Sequence, residues 1–187
     1  ALKMGMRTMV MGTCTAVRKS LLSVLLPIPE EYQAGHDDWI HDFAKVFNVR
    51  KFIPETLQLY RIHDSNTSES IVNSQNKMNF FRYFTNKIVT NESIGPKLTF
   101  RYDRMKIVKD WIVDHSDSIN ENMRDNVNFE KSLKKLMDEI QALENRISLN
   151  KKGSLERLNL IYEMVLNGQY VNHFSGYRSW IRDLIIK

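Results

Sequence analysis

The chain has 187 residues, of which 42% are hydrophobic and 26% are charged, a composition typical of a globular protein. Its single cysteine, Cys14, excludes a disulfide framework and a cysteine-based zinc site. The net charge of +5 is spread along the chain among acidic residues, so we expect no nucleic-acid partner. Only 7 glycines and 4 prolines favour helices over a loop-rich β fold.

The first 76 residues mix short apolar, β-branched runs with helical patterns. The runs at Thr8–Ala16, Val49–Ile53 and Thr56–Tyr60 predict short strands. Val17–Leu26 predicts a helix that ends at a Pro-Ile-Pro turn. Asp37–Phe47 predicts a second helix, because its apolar residues recur at intervals of three and four.

From Lys77 onward the pattern is helical. Ser118 and Glu121 have the spacing of a capping box, which predicts a long helix starting there and continuing to Ile147. Gly153, after two lysines, predicts a left-handed stop. Further helices are predicted over Met78–Val89, Arg101–His115, Leu155–Leu166 and Gly176–Ile186.

Polar side chains that could carry chemistry are concentrated in the first part. His36-Asp37-Asp38-Trp39 opens the second helix, and Tyr60 to Asn66 follows a predicted strand. In a purely structural interpretation, His36 and Asp37 cap a helix and His63 lies in a surface loop.

A metal phosphohydrolase is one alternative, because His36-Asp37 and His41-Asp42 form two His-Asp pairs. The two histidines are five residues apart, however, and not the four that place two imidazoles on one helix face. The motif also needs further His and Asp ligands, for which His115 offers only a loose match.

The order of the motifs resembles the C-terminal half of the catalytic domain of family-two glycosyltransferases, the inverting GT-A enzymes. The resemblance covers residues 8 to 70 approximately. It rests on Gly12-Thr13, Leu26-Pro27-Ile28-Pro29, His36-Asp37-Asp38-Trp39, Pro54-Glu55-Thr56-Leu57 and Tyr60-Arg61-Ile62-His63-Asp64-Ser65-Asn66.

The resemblance implies an α+β fold, mainly α. Residues 1–76 would form the acceptor-side, C-terminal segment of a Rossmann-like GT-A domain with a few short strands, and residues 77–187 a helical extension. A donor-binding section with an Asp-x-Asp metal motif would precede Ala1. We therefore expect no catalysis from these 187 residues alone.

The resemblance also assigns roles to residues. Asp37 would be the general base that deprotonates the acceptor hydroxyl, with Asp38 as an alternative carboxylate. His36, Asp38 and Trp39 would bind the substrate, Trp39 by stacking on a sugar. Arg61 would hold diphosphate oxygens, and His63 would bind a divalent metal, manganese or magnesium, in the full-length enzyme.

The implied partners are a nucleotide-sugar donor and a saccharide or lipid-linked acceptor, as in bacterial surface-polysaccharide synthesis. The last predicted helix combines aromatic, aliphatic and basic residues, which suits contact with the inner face of the cell membrane by a cytoplasmic protein. Self-association is a further expectation, because the strand predicted at Thr8–Ala16 would lack its neighbouring strands and could pair with another chain. A non-enzymatic helical interaction module remains the alternative function.

Overall fold

Eight α-helices and one short 3-10 helix build the part of the chain that the computed structural model describes: residues 15–53, 55, 57, 95–123 and 128–185. The helices are α1 Lys19–Leu25, α2 His36–Val46, α3 Gly95–Asp114, α4 Ser116–Met123, α5 Phe129–Ser148, α6 Ser154–Leu166, α7 Gln169–His173 and α8 Tyr177–Ile185. The 3-10 helix, Leu149–Lys151, follows α5 directly.

The predicted mainly helical character is confirmed. The described residues contain no strand. Val49–Ile53 lies within them and has no regular secondary structure, so the strand predicted there is not found. Thr8–Ala16, Thr56–Tyr60 and the predicted helix at Met78–Val89 lie wholly or largely outside the described residues.

The two helices predicted in the first part are confirmed. Helix α1 ends at Leu25, one residue before Leu26-Pro27, because proline cannot supply the amide that a continuing helix needs. Helix α2 buries the apolar face that its spacing predicts, with Trp39, Phe43 and Ala44 inside the protein.

Helices α4 and α5 differ from the prediction of one long helix starting at Ser118. Ser118 lies inside α4, and α5 begins separately at Phe129. The N-cap of α5 is Asn128, whose side chain accepts a hydrogen bond from the Lys131 amide at 2.9 Å. The capping-box spacing misled because Ser and Glu three residues apart also occur within a helical turn.

Gly153 also differs from its predicted role. Its φ of −64° is not left-handed, and the residue is the N-cap of α6. The left-handed glycine lies further along, at Gly168, where φ is +66° between α6 and α7. Glycine suits this position because a side chain strains a left-handed backbone. Helix α7 itself was not predicted, whereas α6 and α8 match their predicted ranges closely.

One core is shared by helices from both predicted segments. The chain divides into two compact units, Ala1–Phe52 with Gly95–Lys187 and Ile53–Ile94. In the first unit, α3 packs along α5, and α2 contacts both of them. The buried residues include Phe43 and Phe47 of the first segment with Val108, Ile112 and Leu143 of the second. The predicted segment boundary at residue 76 itself lies outside the described residues.

Partly buried ion pairs join these helices. Glu139 of α5 accepts hydrogen bonds from Lys45 of α2, at 2.8 Å and 2.9 Å, and from Arg101 of α3. Burial alone would raise the pKa of Glu139, but the two cations outweigh it and hold that pKa below its usual value. The ionised carboxylate therefore links three helices.

None of the described helices combines the length and the apolar composition needed to cross a membrane.

Candidate functional site

The His36-Asp37-Asp38 motif forms the first turn of α2, after the N-cap residue Gly35. His36 and Asp38 are exposed and Asp37 is partly buried. The Asp37 Oδ1 atom accepts a hydrogen bond from the Asp38 amide at 3.0 Å. A Cβ atom on Gly35 would approach Asp37 Oδ1 to 2.5 Å, so the missing side chain leaves room for this carboxylate. The motif therefore presents a carboxylate at the positive end of the α2 dipole.

Arg104, from the middle of α3, binds two of the nearby carboxylates. Its Nη2 atom lies 3.2 Å from Asp38 Oδ1. Its Nε and Nη2 atoms lie 3.0 Å and 2.5 Å from Asp42 Oδ2, one turn further along α2. The same Asp42 oxygen accepts a hydrogen bond from the Tyr32 hydroxyl at 2.9 Å. Asp38 and Asp42 are thus held in ion pairs by a residue of the second predicted segment.

The electrostatics keep Tyr32 protonated and Arg104 charged. Burial, and then the charge of Asp42, raise the pKa of Tyr32 far above its usual value, so the hydroxyl remains a hydrogen-bond donor. Burial opposes the charge on Arg104, but Asp42 outweighs it and the pKa of Arg104 is raised. The guanidinium also lies 5.4 Å from the ring centre of Tyr32 and 5.6 Å from that of Phe100. Aromatic faces and carboxylates both favour a cation at this position.

His41 is on the same helix but has a different environment. Its Nε2 atom lies 3.1 Å from Thr15 Oγ1. Burial, and then the charge of Arg50, lower the pKa of His41 against the opposing effect of the three aspartates nearby. The imidazole is therefore neutral at pH 7.

The described residues do not build the metal site of a phosphohydrolase. In those ranges, no group of three or more His, Cys, Asp or Glu side chains is arranged to hold a metal ion. His115, the most distant candidate ligand, stacks on Trp111 with ring centres 3.9 Å apart, and its Nδ1 atom lies 3.0 Å from the Trp111 carbonyl oxygen. Both of these contacts are with Trp111, four residues earlier in the chain, and neither is with another candidate metal ligand.

Trp39 requires a correction. Its side chain is fully buried, and its indole N–H donates to the Leu25 carbonyl at 2.9 Å. Its ring packs edge-on against Tyr32 and Trp111, with ring centres 4.9 Å and 5.7 Å away. A sugar cannot stack on an indole that is inside the core, so Trp39 anchors α2 to α1 instead of binding substrate.

Two predicted site residues, Arg61 and His63, lie outside the described residues, as does the whole Tyr60–Asn66 motif. The resemblance places Asp37 and His63 together at the reaction centre, so we expect their side chains to converge on one surface, and this stays a prediction. Sequence reasoning missed Arg104, which is 62 residues from Asp42 and belongs to no motif. The only signal available was an arginine on the predicted helix at Arg101–His115, and arginines on helices are common.

Comparisons with known proteins identify no family. No protein-family model matches the chain, and searches of curated proteins and of solved structures found no match either. The function is therefore argued from the residues themselves.

Proposed function

We propose that the protein is the acceptor-side part of an inverting glycosyltransferase that transfers a sugar from a nucleotide-sugar donor to a saccharide or lipid-linked acceptor. The observation that supports this most is the first turn of α2, where a partly accessible Asp37 lies beside an exposed His36 at a helix N-terminus. The resemblance of the surrounding motifs supplies the reaction class.

In this proposal Asp37 acts as the general base. Inversion requires a carboxylate on the side opposite the leaving nucleotide, where it removes the proton of the acceptor hydroxyl as that oxygen attacks the anomeric carbon. The N-terminus of a helix favours the ionised form of such a carboxylate. His36, exposed on the same turn, would contact the acceptor.

The contacts of Arg104 favour Asp37 over Asp38 as the base. Asp38 Oδ1 is 3.2 Å from the guanidinium, so this carboxylate already has a cationic partner within the protein. Asp42 is more strongly held, by Arg104 and by the Tyr32 hydroxyl. Asp38 and Asp42 then orient the first turns of α2.

The remaining roles extend the same proposal. Arg61 would bind the diphosphate and His63 would help to bind manganese or magnesium, with the donor-binding section supplying the oxygen ligands that such metals prefer. The setting would be bacterial surface-polysaccharide synthesis at the cytoplasmic side of the membrane.

The test uses the polypeptide encoded by the complete open reading frame. Release of nucleoside diphosphate is measured with a panel of nucleotide sugars, with manganese or magnesium, and with candidate saccharide and lipid-linked acceptors. We expect Asp37→Asn to lower kcat by about 10²–10⁴-fold with little change in donor binding, because only proton removal in the transition state is lost. Asp38→Asn is the matched control and should keep kcat within about tenfold, since the ion pair orients the helix and does not take the proton.

Two results would contradict the proposal. If Asp38→Asn were inactive while Asp37→Asn kept the wild-type rate, the base would be Asp38. If the wild-type polypeptide bound no nucleotide sugar and released no nucleotide, the helical interaction module would be the better interpretation.

A further inference from the structure

The polar side chains of α2 lie on two flanks of the helix. Asp38 and Asp42, one turn apart, share the flank that faces Arg104 of α3. Asp37 and His41 are also one turn apart, and they share a second flank about 100° further round the helix. The residue that follows Asp37 along its own flank is therefore His41.

His41 is held on this flank by a contact from outside the helix. Its Nε2 atom lies 3.1 Å from the hydroxyl oxygen of Thr15, which is 26 residues earlier in the chain. A hydroxyl group can donate or accept a hydrogen bond, so the contact suits both the neutral and the protonated imidazole. Thr15 therefore restrains the ring on the flank of Asp37 in either state.

The spacing of Asp37 and His41 suits a charge pair along the helix. Residues four apart are neighbours on a helix surface, with Cβ atoms about 5–6 Å apart. An acid that precedes a base by four residues is also the more favourable order for such a pair. A neutral imidazole adds no charge beside Asp37, whereas a protonated one would pair with the carboxylate and make it a weaker base.

The protonation of His41 depends on several charges around it. They belong to Arg50, which follows α2, and to three aspartates of α2, Asp37, Asp38 and Asp42. Burial, and then Arg50, lower the pKa of His41, and the aspartates oppose this, Asp37 first among them. Because the lowering effects prevail, the imidazole gains its charge only on the acid side of neutrality. The interaction is reciprocal, so an Asp37 that favours protonated His41 is itself held ionised by it.

We propose that His41 is a positioning residue for Asp37: the neutral imidazole leaves the carboxylate able to take the acceptor proton, and the protonated imidazole pairs with the carboxylate and slows the transfer. This inference rests on the proposed function, in which Asp37 is the general base. His41 exchanges its proton only with solvent, and the proton of the acceptor hydroxyl still goes to Asp37. Because a weaker base gives a slower reaction, kcat should fall as the pH is lowered through the pKa of His41.

The first test measures the interaction in the 187-residue protein without substrate. The pKa of His41 is obtained by NMR titration of the imidazole protons, and His41→Gln identifies its signal among the 5 histidines. Asp37→Asn should lower that pKa further, by about 0.3–1, because an opposite charge on the same flank is lost. Asp110→Asn is the matched control, since Asp110 pairs with Lys109 on the surface of α3, and it should leave the pKa unchanged. An unchanged pKa in Asp37→Asn, shown to be folded by circular dichroism, overturns the proposal.

The second test measures the pH dependence of kcat in the polypeptide encoded by the complete open reading frame. The wild-type kcat should fall by about two- to tenfold as His41 is protonated, because the base is weakened by the same interaction. His41→Gln should lose this decrease, since its amide stays neutral and can replace the imidazole in the contact with Thr15. His115→Gln, which removes an imidazole that contacts Trp111 of α3, is the matched control and should keep the decrease.

The outcomes separate this inference from the proposed function. If sugar transfer requires Asp37 but His41→Gln keeps the wild-type pH profile, the role of His41 is overturned and the transferase remains. If the wild-type polypeptide binds no nucleotide sugar and transfers no sugar, the proposed function fails and this inference fails with it, whatever the titration shows.

Discussion

Replacement of Asp183 by alanine tests the buried polar centre that joins α5, α6, α7 and α8. The Arg146 and Asp183 side chains are only 3% and 8% exposed, and the guanidinium holds the carboxylate by two hydrogen bonds. Arg146 also lies 4.6 Å from the ring centre of Phe174. In Asp183→Ala the arginine would keep its charge in a site with little water, and the Tyr170 hydroxyl would lose its acceptor.

The magnitude follows from the missing partner. Removal of one side of a buried ion pair costs about 3–5 kcal/mol, because the remaining charge is left uncompensated. For a domain of this size each kcal/mol lowers Tm by about 2–4 °C, so we expect a decrease of about 6–20 °C. The double variant Arg146→Met with Asp183→Leu removes both charges and should recover much of that loss, since a buried pair often adds little over apolar residues.

The free energy of unfolding is measured by urea denaturation, followed by tryptophan fluorescence and circular dichroism. Asp110→Ala is the matched control, because Asp110 is 59% exposed and pairs with Lys109 at 2.8 Å on the surface. An exposed pair of this kind contributes less than about 1 kcal/mol. The argument would be refuted if Asp183→Ala lowered the free energy of unfolding by no more than Asp110→Ala does. It would also be refuted if the double variant Arg146→Met with Asp183→Leu were less stable than Asp183→Ala.

Three further predictions concern α5, α2 and the pH dependence of stability. Asn128→Ala should lower the free energy of unfolding by about 1 kcal/mol because α5 loses its N-cap, whereas Asn128→Asp should keep it. Gly35→Ala should leave the free energy of unfolding nearly unchanged but displace the Asp37 carboxylate, because the added Cβ would lie 2.5 Å from Asp37 Oδ1. The displacement should shift the NMR resonance of the Asp38 amide, which donates to Asp37 Oδ1, and an unshifted resonance would contradict the close approach. Burial lowers the pKa of His173 in the folded protein below the pKa of the same side chain in the unfolded chain. The contribution of the neutral His173 to the free energy of unfolding is therefore complete above pH ~6.5, and it is lost as the pH falls through the pKa of the folded state. Urea unfolding between about pH 7 and 5 should therefore show a weaker pH dependence for His173→Gln than for wild type, and equal slopes would refute the assignment.

The helices could be predicted where a local cause determines them. Apolar residues three and four apart fix the buried face of α2, and Leu26-Pro27 ends α1. The division between α4 and α5 could not be predicted in the same way, since a side-chain cap such as Asn128 is recognised only once the start of the helix is known. The β-like run at Val49–Ile53 shows that β-branched residues are a weak signal when no neighbouring strand is identified.

The candidate site was predicted in part for a similar reason. The place of Asp37 and Asp38 in the first turn of a helix follows from local sequence. The burial of Trp39 does not, because it depends on α1 and on Trp111 of α3. An aromatic residue next to polar residues can bind a sugar or anchor a helix, and only the packing distinguishes the two.

Long-range ion pairs connect the candidate site to the helices that follow it. Arg104 of α3 holds Asp38 and Asp42, and Lys45, at the other end of α2, reaches Glu139 of α5. Both ends of α2 are thus attached to the second segment, in addition to its buried aromatic face. The orientation of Asp37 is therefore set by α3 and α5 as much as by the motif around it. A change in the helical part that moves Arg104 alters the first turn of α2, which gives this part a role in positioning the site.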